Sequence, residues 1–205
     1  MLTDAVDPMS FPEPFRTRVQ VWRHTEHICK NLPASTQSTK MFVKHCTPIK
    51  RYEFTRMEVR DQDSLAAARS LLRSGKTIGV LNMADDAVPC GYPSSGSGAQ
   101  EESIARSSTL CQSLDMHMYP IQDDAGIYSK DVVVFKDTEA NNFRCIKPFR
   151  VDILTVPGVR HPCLDENGLM KEQDLVRMRD KITLMYEMAQ KNGVIMETLR
   201  KHSKE

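Results

Sequence analysis

The 205-residue chain has no apolar run near the ~18 residues that a membrane-spanning helix needs. Its first residues, MLTDAVDPMSFPEPF, carry early acids and no apolar core, so they do not make a secretory signal. No Asn-x-Ser/Thr sequon occurs. Charge of one sign is not in excess either. The 28 Lys and Arg face 27 Asp and Glu, a formal net charge of +1. That argues against a broadly basic, sequence-specific nucleic-acid surface and against an acidic tail. The six cysteines (Cys29, Cys46, Cys90, Cys111, Cys145 and Cys163) show no short regular spacing. In a chain of this length they read as free thiols in a reducing compartment, cytoplasmic or nuclear.

What is present describes a globular protein. Forty per cent hydrophobic and 27% charged residues suffice for one core without staples. Residues 1–14 hold three prolines and read as an extended arm, leaving 15–205 as a single domain. A helix is expected from Phe15, with Val21, Thr25, Ile28 and Leu32 on one face. Strands are expected at 41–46 and 52–59. Asp63 or Ser64 caps a helix that Gly75 stops. TIGVLNMA at 77–84 suits a strand buried on both faces. A second helix opens at Gln100. Short strands are expected at 131–135 and 151–156. The last helix runs from near Glu172 to Asn192-Gly193, with Leu175, Met178, Ile182, Met185 and Ala189 as its apolar stripe. Alternating strands and helices predict a three-layer α/β domain.

The informative stretch is strand, Gly/Ser-rich loop and helix at 77–110. Ligands of open α/β sheets bind beyond the carboxyl ends of strands. A loop of small residues lets backbone N–H groups approach them, and a helix N-terminus favours anions. Glu101 and Glu102 fall in that first turn. The plainer reading is that they only complement the helix dipole. Paired carboxylates beside such a loop also suit glycosidic chemistry, one protonating a leaving oxygen and later activating water. Ser70-Leu-Leu-Arg-Ser-Gly-Lys-Thr77 imitates a phosphate loop but precedes its strand and lacks the first glycine. No G-x-S-x-G elbow occurs. His24/His27, His45-Cys46 and His161/Cys163 lack metal-ligand spacing, so no metal is expected.

LNMADDAVPCGYPSSGSGAQEESIARSSTL resembles the signature of the microbial-type poly(ADP-ribose) glycohydrolases, a variant of the macrodomain fold. Asn82-Met83-Ala84 and Pro89 match, and seven residues separate Tyr92 from Gln100-Glu101-Glu102, the family's spacing. Tyr128–Phe135 and Asp152–Val159 are similar to the family's next two blocks, and the likeness covers about residues 15–193. It implies a macrodomain-like α/β/α fold with a mixed central sheet and an N-terminal helical extension. It implies hydrolysis of the ribose–ribose O-glycosidic bonds of poly(ADP-ribose), releasing ADP-ribose, with no cofactor. Glu102 would be the catalytic acid/base, Glu101 would position ribose hydroxyls and Asn82 would hold that ribose. Cys90-Gly91-Tyr92 and Ser97, Gly98, Ala99 and Gln100 would lie along the substrate. ADP-ribose or its polymer on modified proteins would be the partner.

The chain departs from that family in two places. Cys90-Gly91-Tyr92 stands where the family has three glycines, and positive φ would cost Cys and Tyr ~1–2 kcal/mol each. After Asn192-Gly193 the sequence implies that the family's last strand and second Gly-rich loop are missing. These departures keep open two other readings: a non-catalytic ADP-ribose-binding module, or an inactive, shortened relative.

Overall fold

The structure is a computed structural model, which describes residues 15–32, 39–43, 58–72 and 75–197. The expected arm at 1–14 and most of the expected strand at 52–59 lie outside them.

Ten elements follow in chain order: α1 (Phe15–Asn31), β1 (Thr39–Val43), α2 (Ser64–Leu71), β2 (Ile78–Asn82), α3 (Gln100–Ser107), α4 (Leu110–Ser113), β3 (Ala125–Lys136), β4 (Cys145–Thr155), α5 (Glu172–Asn192) and β5 (Ile195–Glu197). Local chemistry explains several boundaries. The Asp63 carboxylate accepts from the N–H groups of Leu65 and Ala66, capping α2. Gly193 takes φ +65° and closes α5, donating its N–H to Gln190 O.

The strands form one mixed sheet in the order β1-β3-β4-β2-β5. β1–β3 and β3–β4 are antiparallel, whereas β4–β2 and β2–β5 are parallel. Each side of the sheet buries its own apolar set. Ile78, Val80, Ile127, Val132, Val134, Val151 and Ile153 pack with Leu65, Ala68, Ile104, Ala105, Leu110 and Trp22 from the first four helices. On the other side Tyr128, Leu154 and Val156 meet Leu184, Met185, Met188 and Ala189 of α5. The result is the expected α/β/α layering. α1 is tied down by polar anchors. Lys136 Nζ, on a residue 1% exposed, donates to Val21 O at 2.9 Å and to Thr25 Oγ1 at 2.7 Å.

Four expectations are corrected. A strand does follow the last helix: β5 pairs in parallel with β2, Gly79 opposite Met196. It spans three residues, too few for a periodic signal. The strands at 131–135 and 151–156 belong to the longer β3 and β4: β3 begins with five buried residues from Ala125, and the added Cys145–Arg150 of β4 is mostly exposed and lacks the apolar pattern of a doubly buried strand. The α5 stripe differs at one position. Met185 and Ala189 are buried as expected, together with Leu184 and Met188, but Ile182 is 46% exposed, and the buried Lys181 beside it extends its amine to the Asp123 carbonyl. Finally, the cysteines are not all free: Cys90 is bonded to Cys111, with Cα atoms 5.9 Å apart, while Cys29, Cys145 and Cys163 are free thiols.

Candidate active site

β2 and β4 run parallel, so their carboxyl ends open on the same side of the sheet. Asn82 and Thr155 are register partners at those ends. Both are fully buried, and Asn82 Nδ2 donates to Thr155 Oγ1 at 3.3 Å. The N-terminus of α3 meets this pair through Glu101, beside a cleft of about 300 Å³. Residues 83–86 after β2, residues 157–160 after β4, and Ala99, Glu101 and Glu102 line it. A second, larger hollow of about 510 Å³ lies at 164–171 and holds none of these residues.

The two carboxyl groups are held differently. Glu101, 2% exposed, has both oxygens engaged. Oε1 accepts from Asn82 Nδ2 at 3.1 Å and Oε2 from the Asp85 N–H at 2.7 Å. Burial pushes this carboxyl up to about 7 despite those two bonds, and the charges of Glu102 and Asp85 add to the rise. Glu102, 5% exposed, accepts from the Tyr92 N–H at 3.2 Å through Oε1. Its Oε2 is buried and has no hydrogen-bond partner, as is Asn82 Oδ1. Such orphans are uncommon in folded proteins and mark places where a bound group completes the network.

Gln100 is a clamp. Its amide accepts from the Met83 N–H at 2.8 Å and donates to Leu81 O at 2.6 Å, so both ends are used at the carboxyl end of β2 and the residue after it. Asp85 steadies the loop beyond. Burial would raise its carboxyl, but the N–H groups of Ala87 and Val88 and the Arg160 guanidinium outweigh that and hold it below the usual range. Arg160 also pairs with Asp86, joining the two walls of the cleft.

The departing Cys-Gly-Tyr turn has a specific backbone. Cys90 and Gly91 both take φ +61°, in the left-handed region. Glycine is required at 91 for a second reason: a Cβ there would sit 2.5 Å from Glu102 Oε1. Tyr92 has φ −125°, which any residue adopts, so no cost arises there. Cys90 does carry the ~1 kcal/mol penalty of a non-glycine left-handed residue. Its side chain is 2% exposed and points to Cys111 rather than into the cleft. Of the remaining expected residues, Ala99 lines the cleft. Ser97 contributes its carbonyl to Arg106, and Gly98 packs against the Arg18 guanidinium.

Arg106 was not legible as a site residue. It is fully buried one turn beyond Glu102, and its Nη2 donates to Pro93 O at 3.0 Å and Ser97 O at 2.6 Å. Burial lowers its guanidinium to about 10, with Arg18 adding to the drop and Glu102 opposing it. Tyr119 was missed as well. Its buried hydroxyl has no partner, and burial next to Glu101 and Asp85 pushes its ionisation up. Arg106 falls inside the 77–110 stretch but nothing about it there singles it out, whereas Tyr119 lies beyond that stretch.

A comparison with curated proteins found no match. The chain is similar to the poly(ADP-ribose) glycohydrolase of Thermomonospora curvata bound to the inhibitor ADP-HPD. Identity is 26% and the TM-score 0.69, over 87% of this chain and 76% of that one. It is also similar to the Deinococcus radiodurans poly(ADP-ribose) glycohydrolase in complex with ADP-ribose, at 26% identity and a TM-score of 0.52, over 66% of this chain and 57% of that one. Residues 17–137, more than half of the chain, match the microbial-type PARG catalytic domain, and the protein belongs to that family.

Proposed function

We propose that this protein hydrolyses the ribose–ribose O-glycosidic bonds of poly(ADP-ribose), with Glu102 as general acid and then general base. The observation that carries the assignment is Glu102 Oε2, buried at the cleft and without a partner. Glu101 has the carboxyl raised to about 7, a value that on its own suits a proton donor. Yet both its oxygens are occupied by Asn82 and Asp85, and a catalytic group must first reach the proton it moves.

In this reading Glu102 protonates the leaving ribose oxygen as the C–O bond breaks, and positive charge develops on the sugar ring. The adjacent carboxylates stabilise it. The same carboxylate then takes a proton from the attacking water. Glu101 and Asn82, fixed at the end of β2, orient ribose hydroxyls. ADP-ribose or its polymer on modified proteins is the proposed partner. No helix among the described residues is long and apolar enough to cross a membrane.

The test is turnover of labelled poly(ADP-ribose), with calorimetry against ADP-ribose. Glu102→Gln is expected to cost ~10²–10⁴-fold in kcat, the usual worth of general acid–base catalysis, while ADP-ribose still binds. A wild-type rate surviving Glu102→Gln would overturn the role. Binding without turnover in the wild type would instead make the chain a reader of ADP-ribose, and no binding at millimolar ligand would remove both.

A further inference from the structure

Cys90 sits where the resemblance calls for glycine, yet its backbone keeps the left-handed turn at φ +61°. Its sulfur is bonded to Cys111, 21 residues later, on α4. That helix is a firm anchor. Thr109, just before it, exchanges bonds with β3: its N–H donates to Val133 O at 3.0 Å, and the Val133 N–H donates to its Oγ1 at 3.1 Å. Leu110, the first residue of α4, is fully buried. The bond therefore ties the turn to the sheet. Two residues past Cys90, the Tyr92 N–H is the donor to Glu102 Oε1.

We propose that Cys90 and Cys111 are positioning residues of this site, their bond holding the turn that presents the Tyr92 N–H to Glu102, so that hydrolysis depends on thiol–disulfide exchange. The inference rests on the glycohydrolase reading. Glycine adopts the left-handed turn freely, whereas cysteine adopts it at a penalty. The covalent tether opposes that penalty. Once it is cut, Cys90 relaxes toward ordinary backbone angles and the donor leaves Glu102.

The exchange balances with a small dithiol as reductant. A thiolate attacks Sγ of Cys111, the half-buried partner, and Sγ of Cys90 leaves as thiolate and takes a proton. The second thiol of the reagent then displaces Sγ of Cys111 and closes the reagent's own disulfide. Two electrons and two protons pass to the protein. A small disulfide reverses the reaction, so oxidising conditions assemble the site and reducing conditions loosen it.

The experiment compares the full chain, oxidised and after dithiothreitol, with thiols at Cys90 and Cys111 counted by alkylation and mass. Reduction is expected to lower kcat about tenfold, the effect of a small conformational penalty at the reacting group, with KM moving less. Cys111→Ser should hold the low rate with or without reductant. Cys90→Gly should be insensitive to reductant and faster than the reduced wild type. Equal kcat in both redox states, with Cys111→Ser matching the oxidised wild type, would overturn the proposal. If no form hydrolyses the polymer, the glycohydrolase reading fails, and amide hydrogen exchange over 88–103 tests the tether alone. Faster exchange on reduction in the wild type but not in Cys90→Gly supports it, and unchanged exchange overturns it.

Discussion

Gly91 fills the space between a turn and a carboxylate. A methyl group there would meet Glu102 Oε1 at 2.5 Å and would have to hold φ +61°. Gly91→Ala is therefore expected to lower stability by at least ~1 kcal/mol, or roughly 2–4 °C in Tm for a chain of this size. It should also lower kcat, because the atom displaced is on the proposed acid/base. Melting curves and initial rates on the same preparation check both. Glu101 gives a second prediction, in pH. Folding raises its carboxyl from 4.5 to about 7, so between those values the folded chain keeps a proton that the unfolded chain has lost. The stability this group contributes is fully present below pH 4.5 and fades as pH rises through 7, on the order of 3 kcal/mol in all. In Glu101→Gln the amide can accept only one of the two bonds and carries a constant penalty. The readout is the slope: denaturation at pH 5 to 8 should show the wild-type advantage over the variant shrinking as pH rises. Parallel curves would contradict the buried, raised carboxyl.

α1 depends on a buried amine for its seat on the sheet. Burial lowers Lys136 from 10.5 to about 8, so between those values the unfolded chain binds a proton that the folded chain has released. Stability from this group therefore rises with pH across that window. Lys136→Met should flatten the rise seen in Tm between pH 8 and 10, and an unchanged slope would count against it. The Asp63 cap of α2 is a simpler case. Asp63→Ala removes the acceptor for two N–H groups and should cost ~1 kcal/mol, measured by chemical denaturation. Elements with local signals were readable from the sequence: the cap of α2, the apolar run of β2, and the acidic first turn of α3. The outer end of β4 was not, because Cys145–Arg150 takes its strand form from pairing with β3 rather than from its own apolar pattern. The site divides the same way. Glu101, Glu102 and Asn82 were singled out through the family resemblance, and the structure brings them together. Thr155 and Arg106 were not, since one depends on the register of two parallel strands and the other on a loop folding back over its guanidinium. Nor could scattered cysteines reveal that Cys90 and Cys111 meet.

At the scale of the whole molecule, binding and folding are linked. The cleft is assembled from the ends of β2 and β4 and the head of α3, so a ligand seated there stabilises all three together. ADP-ribose at a hundred times its Kd should add ~2.7 kcal/mol, or about 5–10 °C in Tm. Thermal shift against a concentration series checks this, and a flat response would contradict occupancy of the cleft. The Cys90–Cys111 bond has another effect at this scale. It closes the backbone into a ring that contains the exposed Ser94 and Ser95 together with the two site glutamates. A protease that cuts at those serines opens the ring without dividing the protein. The nicked chain would migrate as one band without reductant and as two with it, so damage to the loop over the site stays concealed until the sulfurs part.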